Sequence, residues 1–220
     1  MPKEYSERFL QDKVIELFKK IGYEYLSPEE AFKERGGDNG NIILKNILEN
    51  RMNKFNYFVY DDKKQKFSEE NIKKAVDDLD VPLINGYLTA NEKITEKILK
   101  GEGYKEKVGG KSESFNIRYI DFDNIENNAF HITEEFEVKR QNTEEKEKTR
   151  RPDLVVFVNG IPLGIIELKK ASVSIDDAIE QMIRNQNEGE IRQLFKFSQL
   201  LLCANDESIK YATAGTKKKF

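Results

Sequence analysis

The chain has 220 residues, with 37 Lys and Arg against 40 Asp and Glu, one His, one Cys and no Trp, and at ~150 residues per domain that length holds one or two domains. Charged residues make up 35% of it, yet 14 Phe and 9 Tyr leave ample material for a core, which excludes bulk disorder. One cysteine excludes a disulfide framework or a thiolate zinc cluster and one histidine excludes a His-rich site, so any metal would rest on carboxylates, the ligands of magnesium, manganese and calcium.

The first predicted helix runs from Ser6 to Lys20, with Leu10, Val14, Leu17 and Ile21 at helical spacing and Gly22 past its end. Glu7 shares their face; it is either a charge favoured by the helix dipole or a group pointing into a site. Lys33 to Gly40 reads as a loop. A helix follows over Asn41–Phe55, with Ile43, Ile47, Leu48 and Met52 as its core face, then one over Glu69–Leu79 capped by Ser68. Another covers Glu92–Lys100, with Asn91 as cap and Gly101 beyond. Residues 1–108 are thus expected to form a mainly helical lobe, and 109–220 the core.

From Ser114 the period changes to two. Phe130, Ile132, Phe136 and Val138 alternate with His131, Thr133, Glu135 and Glu137, which places His131 on a polar surface. Gln141–Thr149 is a charged turn. Leu154–Val158 and Leu163–Leu168 are two strands joined by the hairpin signal Asn159-Gly160. Ser174 caps a helix with Ile175, Ala178, Ile179, Met182 and Ile183 on one face, and Asp177 three residues on makes a capping-box variant. Leu200–Cys203 and Lys210–Thr213 are the last strands, with Cys203 a small buried hydrophobe. This order predicts an α/β fold with a mixed central sheet and a helix packed on it.

Two pieces carry chemistry. Arg151-Pro152-Asp153 opens the first hairpin strand, and Glu167-Leu168-Lys169 closes the second. Residues two apart on a strand share a face, so Glu167 and Lys169 point the same way, and pairing through the turn brings Asp153 near Glu167. Two converging carboxylates repel, and a hard divalent cation offsets the repulsion; a neighbouring lysine can orient water or stabilise charge on a phosphate. From these residues alone two readings stand: a phosphodiester-hydrolysis site, or a hairpin with charged ends.

The run from Arg151 through Asn159-Gly160 and Pro162 to Lys169 closely resembles the nuclease domain of the restriction (R) subunits of type I restriction-modification enzymes, members of the Asp–Glu-x-Lys nuclease superfamily. The likeness extends to Ser6-Glu7 and Ile21–Glu24, to Asn91 through Gly101–Tyr104, to Leu194–Leu200 and to Tyr211–Gly215. It implies a restriction-endonuclease-like core. It also implies that Asp153 and Glu167 bind Mg2+ or Mn2+, that Lys169 assists the attack, and that Glu7 is the acid from the first helix. The family has a glutamine on the next helix, matched by Gln181, and a tyrosine four residues later; here that position is Asn185. Arg151, Lys170 and Arg184 are the candidate DNA contacts.

No Gly-x4-Gly-Lys-Ser/Thr pattern occurs, so the ATP-using motor domains of such subunits are absent from this sequence, which is expected to be an N-terminal piece ending at Lys217–Phe220, about where a motor would begin. Residues 1–138 carry 22 basic and 28 acidic side chains, and residues 139–220 carry 15 and 12. That balance is far from the basic footprint of an autonomous DNA binder, so motor and partner subunits are expected to deliver the double-stranded DNA. The expected partners are the modification and specificity subunits. The alternatives are a free-standing RecB-like nuclease and a non-catalytic docking module. No apolar run approaches the ~20 residues of a membrane span and Met1–Glu4 opens no signal peptide, so the expected location is cytoplasmic.

Overall fold

The computed structural model describes residues 6–141 and 148–217. In chain order they form α1 (Glu7–Lys20), β1 (Glu24–Leu26), α2 (Pro28–Glu34), α3 (Lys45–Phe55), β2 (Phe58–Tyr60), β3 (Lys63–Gln65), α4 (Glu69–Leu79) and α5 (Tyr87–Lys100). Then come β4 (Glu102–Val108), β5 (Lys111–Ile117), β6 (Phe130–Glu134), β7 (Val138–Lys139), β8 (Thr149–Arg150), β9 (Leu154–Val158) and β10 (Ile161–Leu168). The chain closes with α6 (Ile175–Arg184), α7 (Arg192–Phe195), β11 (Leu200–Ala204) and β12 (Ile209–Ala212). Six strands make the central sheet, in the order β1-β6-β9-β10-β11-β12. β1 with β6 and β10 with β11 run parallel, and the other neighbours antiparallel. The expected mixed sheet flanked by helices is therefore present. Among the described residues no helix is long and apolar enough to cross a membrane.

Each face of the sheet has its own core. Ile15 of α1 packs with Ile132, Leu154, Ile166, Leu168 and Ala204 on one face. The other face carries Val155, Phe157, Ile165, Leu201 and Cys203, covered by Ala178, Ile179 and Met182 of α6 and continuous with the cores of α3 and α4. With both faces of β6, β9 and β10 covered, these strands read as near-continuous apolar runs.

The turn between β9 and β10 anchors the middle of the molecule. Asn159 (φ 52°) and Gly160 (φ 82°) both take the left-handed conformation that tight hairpin turns require. The buried Asn159 side chain donates to Tyr119 O at 3.0 Å and Asn128 Oδ1 at 2.8 Å, and accepts from Ala129 N–H at 2.7 Å. Gly160 C=O accepts from Leu44 N–H at 2.9 Å, just before α3 begins.

That bond explains one departure from expectation. The helix predicted over Asn41–Phe55 starts only at Lys45, because Leu44 N–H is committed to the turn; Ile43 is buried ahead of the helix instead of on it. The helix predicted over Glu92–Lys100 begins earlier, at Tyr87 after Gly86. Asn91 is not a cap: from inside α5 its Nδ2 donates to the carbonyls of Lys196 at 3.0 Å and Ser198 at 3.1 Å. Residues 6–108 also hold α2, with a Ser27–Glu30 capping box and Pro28 in its first turn, and the β2–β3 hairpin, while β1 from this stretch belongs to the central sheet. β4 and β5 pair across Gly109-Gly110, before the point where the change of period was expected.

His131 is a further correction. It is 5% exposed, because β6 is covered on both faces, and burial lowers its pKa. The alternation expected through Val138 stops at Glu134; Glu135 turns the chain with φ 48°, and Val138–Lys139 pairs separately with β8. Most of the Gln141–Thr149 turn, with Lys146, lies outside the described residues, as do Met1–Tyr5 and the last three residues, 218–220. The caps expected at Ser68 and Ser174 are formed, onto Asn71 N–H and Asp176 N–H.

A Cβ at Gly160 would lie 2.5 Å from Leu44 O, and its φ is left-handed. Gly160→Ala should therefore cost more than about 1 kcal/mol, the range in which alanine at positive φ destabilises. Urea unfolding followed by circular dichroism measures it; an unchanged midpoint would show the turn to be compliant.

Candidate active site

The hairpin register assembles the site. Ile161 opposes Val158 and Pro162 opposes Phe157, but Gly164 opposes Val156, so Leu163 is a bulge. Beyond it Ile166 opposes Leu154, the last pair of the ladder, and continuing that register one step past the end of β9 sets Glu167 against Asp153. Glu167 lies beside Cys203 on the face covered by α6. Asp153 Oδ2 accepts the Leu168 N–H at 2.6 Å, which fixes its carboxylate at the end of β10.

Two helices bring the remaining groups. From α6, Gln181 Nε2 donates to Glu167 Oε2 at 2.7 Å. From α1, Glu7 Oε1 lies 3.6 Å from Lys169 Nζ, whose side chain is 15% exposed. One turn along α1, the buried Gln11 donates through Nε2 to Asp153 C=O at 2.9 Å. Asp153, Glu167, Lys169, Gln181 and Glu7 are thus brought to one place. Gln11 was missed, although Glu7 and Gln11 are four apart and so share a helical face. Glu135 was missed as well; its N–H donates to Asp153 C=O at 3.0 Å. Its only local signal was alternation, which assigned it to a strand surface.

The other candidates spread around this centre. Lys170 and Arg184 are exposed, and Arg151, 59% exposed, lies 4.0 Å from Glu135. Arg150, also a phosphate candidate by charge, is paired instead with Glu190, its Nε 2.8 Å from Oε2. Asn185 is 2% exposed and ends α6, its N–H on Gln181 C=O; its Oδ1 has no partner. A buried Asn there does not reach out as a tyrosine would.

The electrostatics follow from burial. Glu167 is fully buried, and burial together with the charge of Asp153 raises its pKa well above the ordinary carboxylate range; Lys169 and Gln181 oppose the rise. Burial raises Asp153 as well, against the Leu168 N–H and the Lys169 charge. Cys203, beside Glu167, is pushed up to about 12, chiefly by burial. Two carboxyls that resist ionisation, with Glu167 Oε1 buried and receiving no N–H donor among the described residues, suit a divalent cation. Among the described residues no group of three or more His, Cys, Asp and Glu gathers to hold a metal. A cation placed here would have the Asp153–Glu167 pair as its protein donors, a sparse carboxylate set of the kind magnesium accepts.

Both carboxyls have folded-state pKa values above their unfolded ones, so the native state holds protons that the unfolded state has lost. Without metal, the stability these groups contribute is present below the unfolded carboxylate pKa of roughly 4. It is lost as pH rises from there through the raised values. Glu167→Gln should therefore raise the melting temperature more at pH 8 than at pH 5. Mg2+ should stabilise the wild type more at pH 8, by about 1–3 kcal/mol at saturating metal. Thermal melts at both pH values test this; equal effects at both would remove the pair from the metal site.

Residues 4–220 match the family described as Type I restriction enzyme R protein N terminus. The chain is 29% identical over 211 residues, 93% of its length, to the putative type I restriction enzyme MjaIXP endonuclease subunit of Methanocaldococcus jannaschii, of which it covers 19%. It is 27% identical over 216 residues, 97% of its length, to the MjaVIIIP subunit of the same organism, again covering 19%. It is 33% identical over 105 residues, 47% of its length, to the type I restriction enzyme EcoprrI endonuclease subunit of Escherichia coli, covering 32% of it. The chain spans about a fifth of the length of the first two relatives. With a family match that runs across nearly every residue and a sheet that sets Asp153 against Glu167, the chain belongs to the family of type I restriction enzyme R protein N-terminal regions.

Proposed function

We propose that this chain is the DNA-cleaving nuclease domain of a type I restriction subunit, hydrolysing phosphodiester bonds of double-stranded DNA with Mg2+ or Mn2+. The observation that carries the reading is the fully buried Glu167 against the half-buried Asp153, with a Glu167 oxygen that receives no N–H donor among the described residues and Lys169 close by. Asp153 and Glu167 would hold the cation, which supplies Lewis-acid stabilisation of charge on the phosphoryl group. The protein's own groups do the rest. Gln181 holds one Glu167 oxygen, leaving the other free to ligate. The Lys169 ammonium faces Glu7 and stays close enough to the carboxylates to orient a water or stabilise the phosphoryl charge. Arg151, Lys170 and Arg184 are the exposed cations placed to meet the DNA backbone.

In this reading ATP is used by motor domains elsewhere in the whole subunit, and modification and specificity subunits complete the complex that brings DNA to the site. The location remains cytoplasmic in the same reading. The free-standing RecB-like alternative is disfavoured by the family match across residues 4–220. The docking-module alternative draws on one observation, an apolar cavity of about 260 Å3 on the α1 face of the sheet, lined by residues including Phe18, Tyr23, Val156, Leu200 and Leu202.

Asp153→Ala in the full subunit complex should lower DNA cutting by about 100-fold or more while ATP hydrolysis stays at the wild-type rate. Measuring both activities on one preparation decides between the readings. Parallel collapse of both would make Asp153 structural and favour docking. Lys169→Ala should lose cutting to a similar degree yet keep manganese binding, since an ammonium is not a ligand; calorimetric titration reads this. Lost binding in a folded protein would instead make Lys169 an organiser of the carboxylates.

A further inference from the structure

A second cavity, of about 400 Å3, opens on the side of the chain where Glu135 meets the Asp153 main chain. Its walls include Phe32, Arg35, Asn39, Glu135, Glu137 and Arg151. It is joined to the catalytic centre through the main chain. Glu135 N–H donates to Asp153 C=O at 3.0 Å, and Arg151 lies two residues before Asp153. The volume falls within the range of small-ligand pockets.

The lining is unusual for a surface dent. Phe32 is 40% exposed, a large aromatic group left open on a short helix. Arg35 is 2% exposed, its guanidinium 4.3 Å from the centre of the Phe136 ring and 5.5 Å from that of Phe32. It donates to Glu137 C=O at 2.7 Å and to Asn39 Oδ1 at 2.5 Å, and its buried Nε has no partner among the described residues. Asn39 in turn donates to Glu137 Oε1 at 2.5 Å. The wall is therefore held in place by its own bonds before any ligand arrives. Arg151 stands at the rim with its side chain 59% exposed.

The charges decide what fits. Glu29, Glu135 and Glu137 line the cavity against two guanidiniums, of which Arg35 already donates to the Glu137 carbonyl and Asn39 and Arg151 stands 4.0 Å from Glu135, so the balance in the interior disfavours a phosphate. A flat neutral heterocycle is not. Its ring stacks on Phe32, its amino group donates to a carboxylate, and Arg151 meets the backbone phosphate outside.

We propose that this cavity receives an unstacked nucleobase of the DNA strand next to the scissile phosphate, and that it prefers amino-bearing bases over thymine. The proposal rests on the nuclease reading above, and it adds a base subsite that holds the strand while the carboxylate centre cuts.

The test measures binding of fluorescent single-stranded oligodeoxycytidine and oligothymidine to the chain without divalent cation, so that nothing is cut. Phe32→Ala and Phe32→Leu should each weaken oligodeoxycytidine binding about tenfold, the loss of one stacked base, while Phe32→Tyr restores it. Wild type should bind oligodeoxycytidine more tightly than oligothymidine, and Glu137→Gln should shrink that preference. Affinity for blunt duplex should not change. Wild-type binding by Phe32→Leu, or no rescue by Phe32→Tyr, overturns the subsite. Plasmid cutting is scored separately. If the wild type cuts and the Phe32 variants bind like it, the subsite fails and the nuclease reading stands. If Phe32-dependent binding is present and neither the chain nor its full complex cuts, the nuclease reading fails and the base site stands.

Discussion

Between Pro162 and Gly164 the pairing of β9 with β10 takes in one extra residue, and the arrangement of the whole site depends on that slip. Side chains on a strand alternate between faces, so a register change of one residue exchanges the faces. Without the bulge, Asp153 would stand opposite Ile166, whose side chain packs on the α1 face of the sheet. With it, Asp153 stands opposite Glu167, on the face that α6 covers. The bulge lies at the far end of the hairpin from the carboxylates and acts on them only through the ladder between.

Once the two carboxyls are opposed, Glu167 buried and Asp153 half-buried, their neighbours follow from the cost of that arrangement. A buried carboxylate requires compensation by hydrogen bonds or positive charge. Leu168 N–H compensates Asp153, and Gln181 compensates one oxygen of Glu167. Lys169 contributes charge to both. The compensation stops short at Glu167 Oε1, which is the physical reason for reading the site as one completed by a cation. α1 serves the same centre from the opposite face. Gln11 ties it to the Asp153 main chain, and that contact sets Glu7, one turn earlier, against Lys169. The chain's overall charge of −3 gives little general attraction for a polyanion. Under the proposed function, precision at the site and delivery of DNA to it are then separate tasks.

Much of this was legible because it is local. The Asn159-Gly160 turn, the Ser68 cap and the apolar face of α6 are each decided within a few residues, by left-handed propensity, side-chain capping or helical period. The bulge was not expected, although Pro162 and Gly164 carried a local signal for it, since proline lacks the N–H a ladder needs and glycine relaxes a strand. The missed α2 carried a full local signal in Ser27-Pro28-Glu29-Glu30.

The order and type of most elements could thus be read from the residues alone, and Asp153, Glu167 and Lys169 could be picked out because a short hairpin brings its two ends together within a residue or so, while the exact opposition rests on the bulge. Only the tertiary structure decided what lies on the second face of each strand and where non-local bonds fall. His131 reads as a surface residue from alternation alone and is buried, because the packing that covers β6 comes from chain segments far from it in sequence. α3 starts late because Leu44 N–H is taken by a carbonyl more than a hundred residues away, and Asn91 sits inside a helix because its partners are on the chain after α7. Gln11 and Glu135 join the site for the same reason. Each meets the Asp153 carbonyl across a distance in sequence that no local period or spacing can encode.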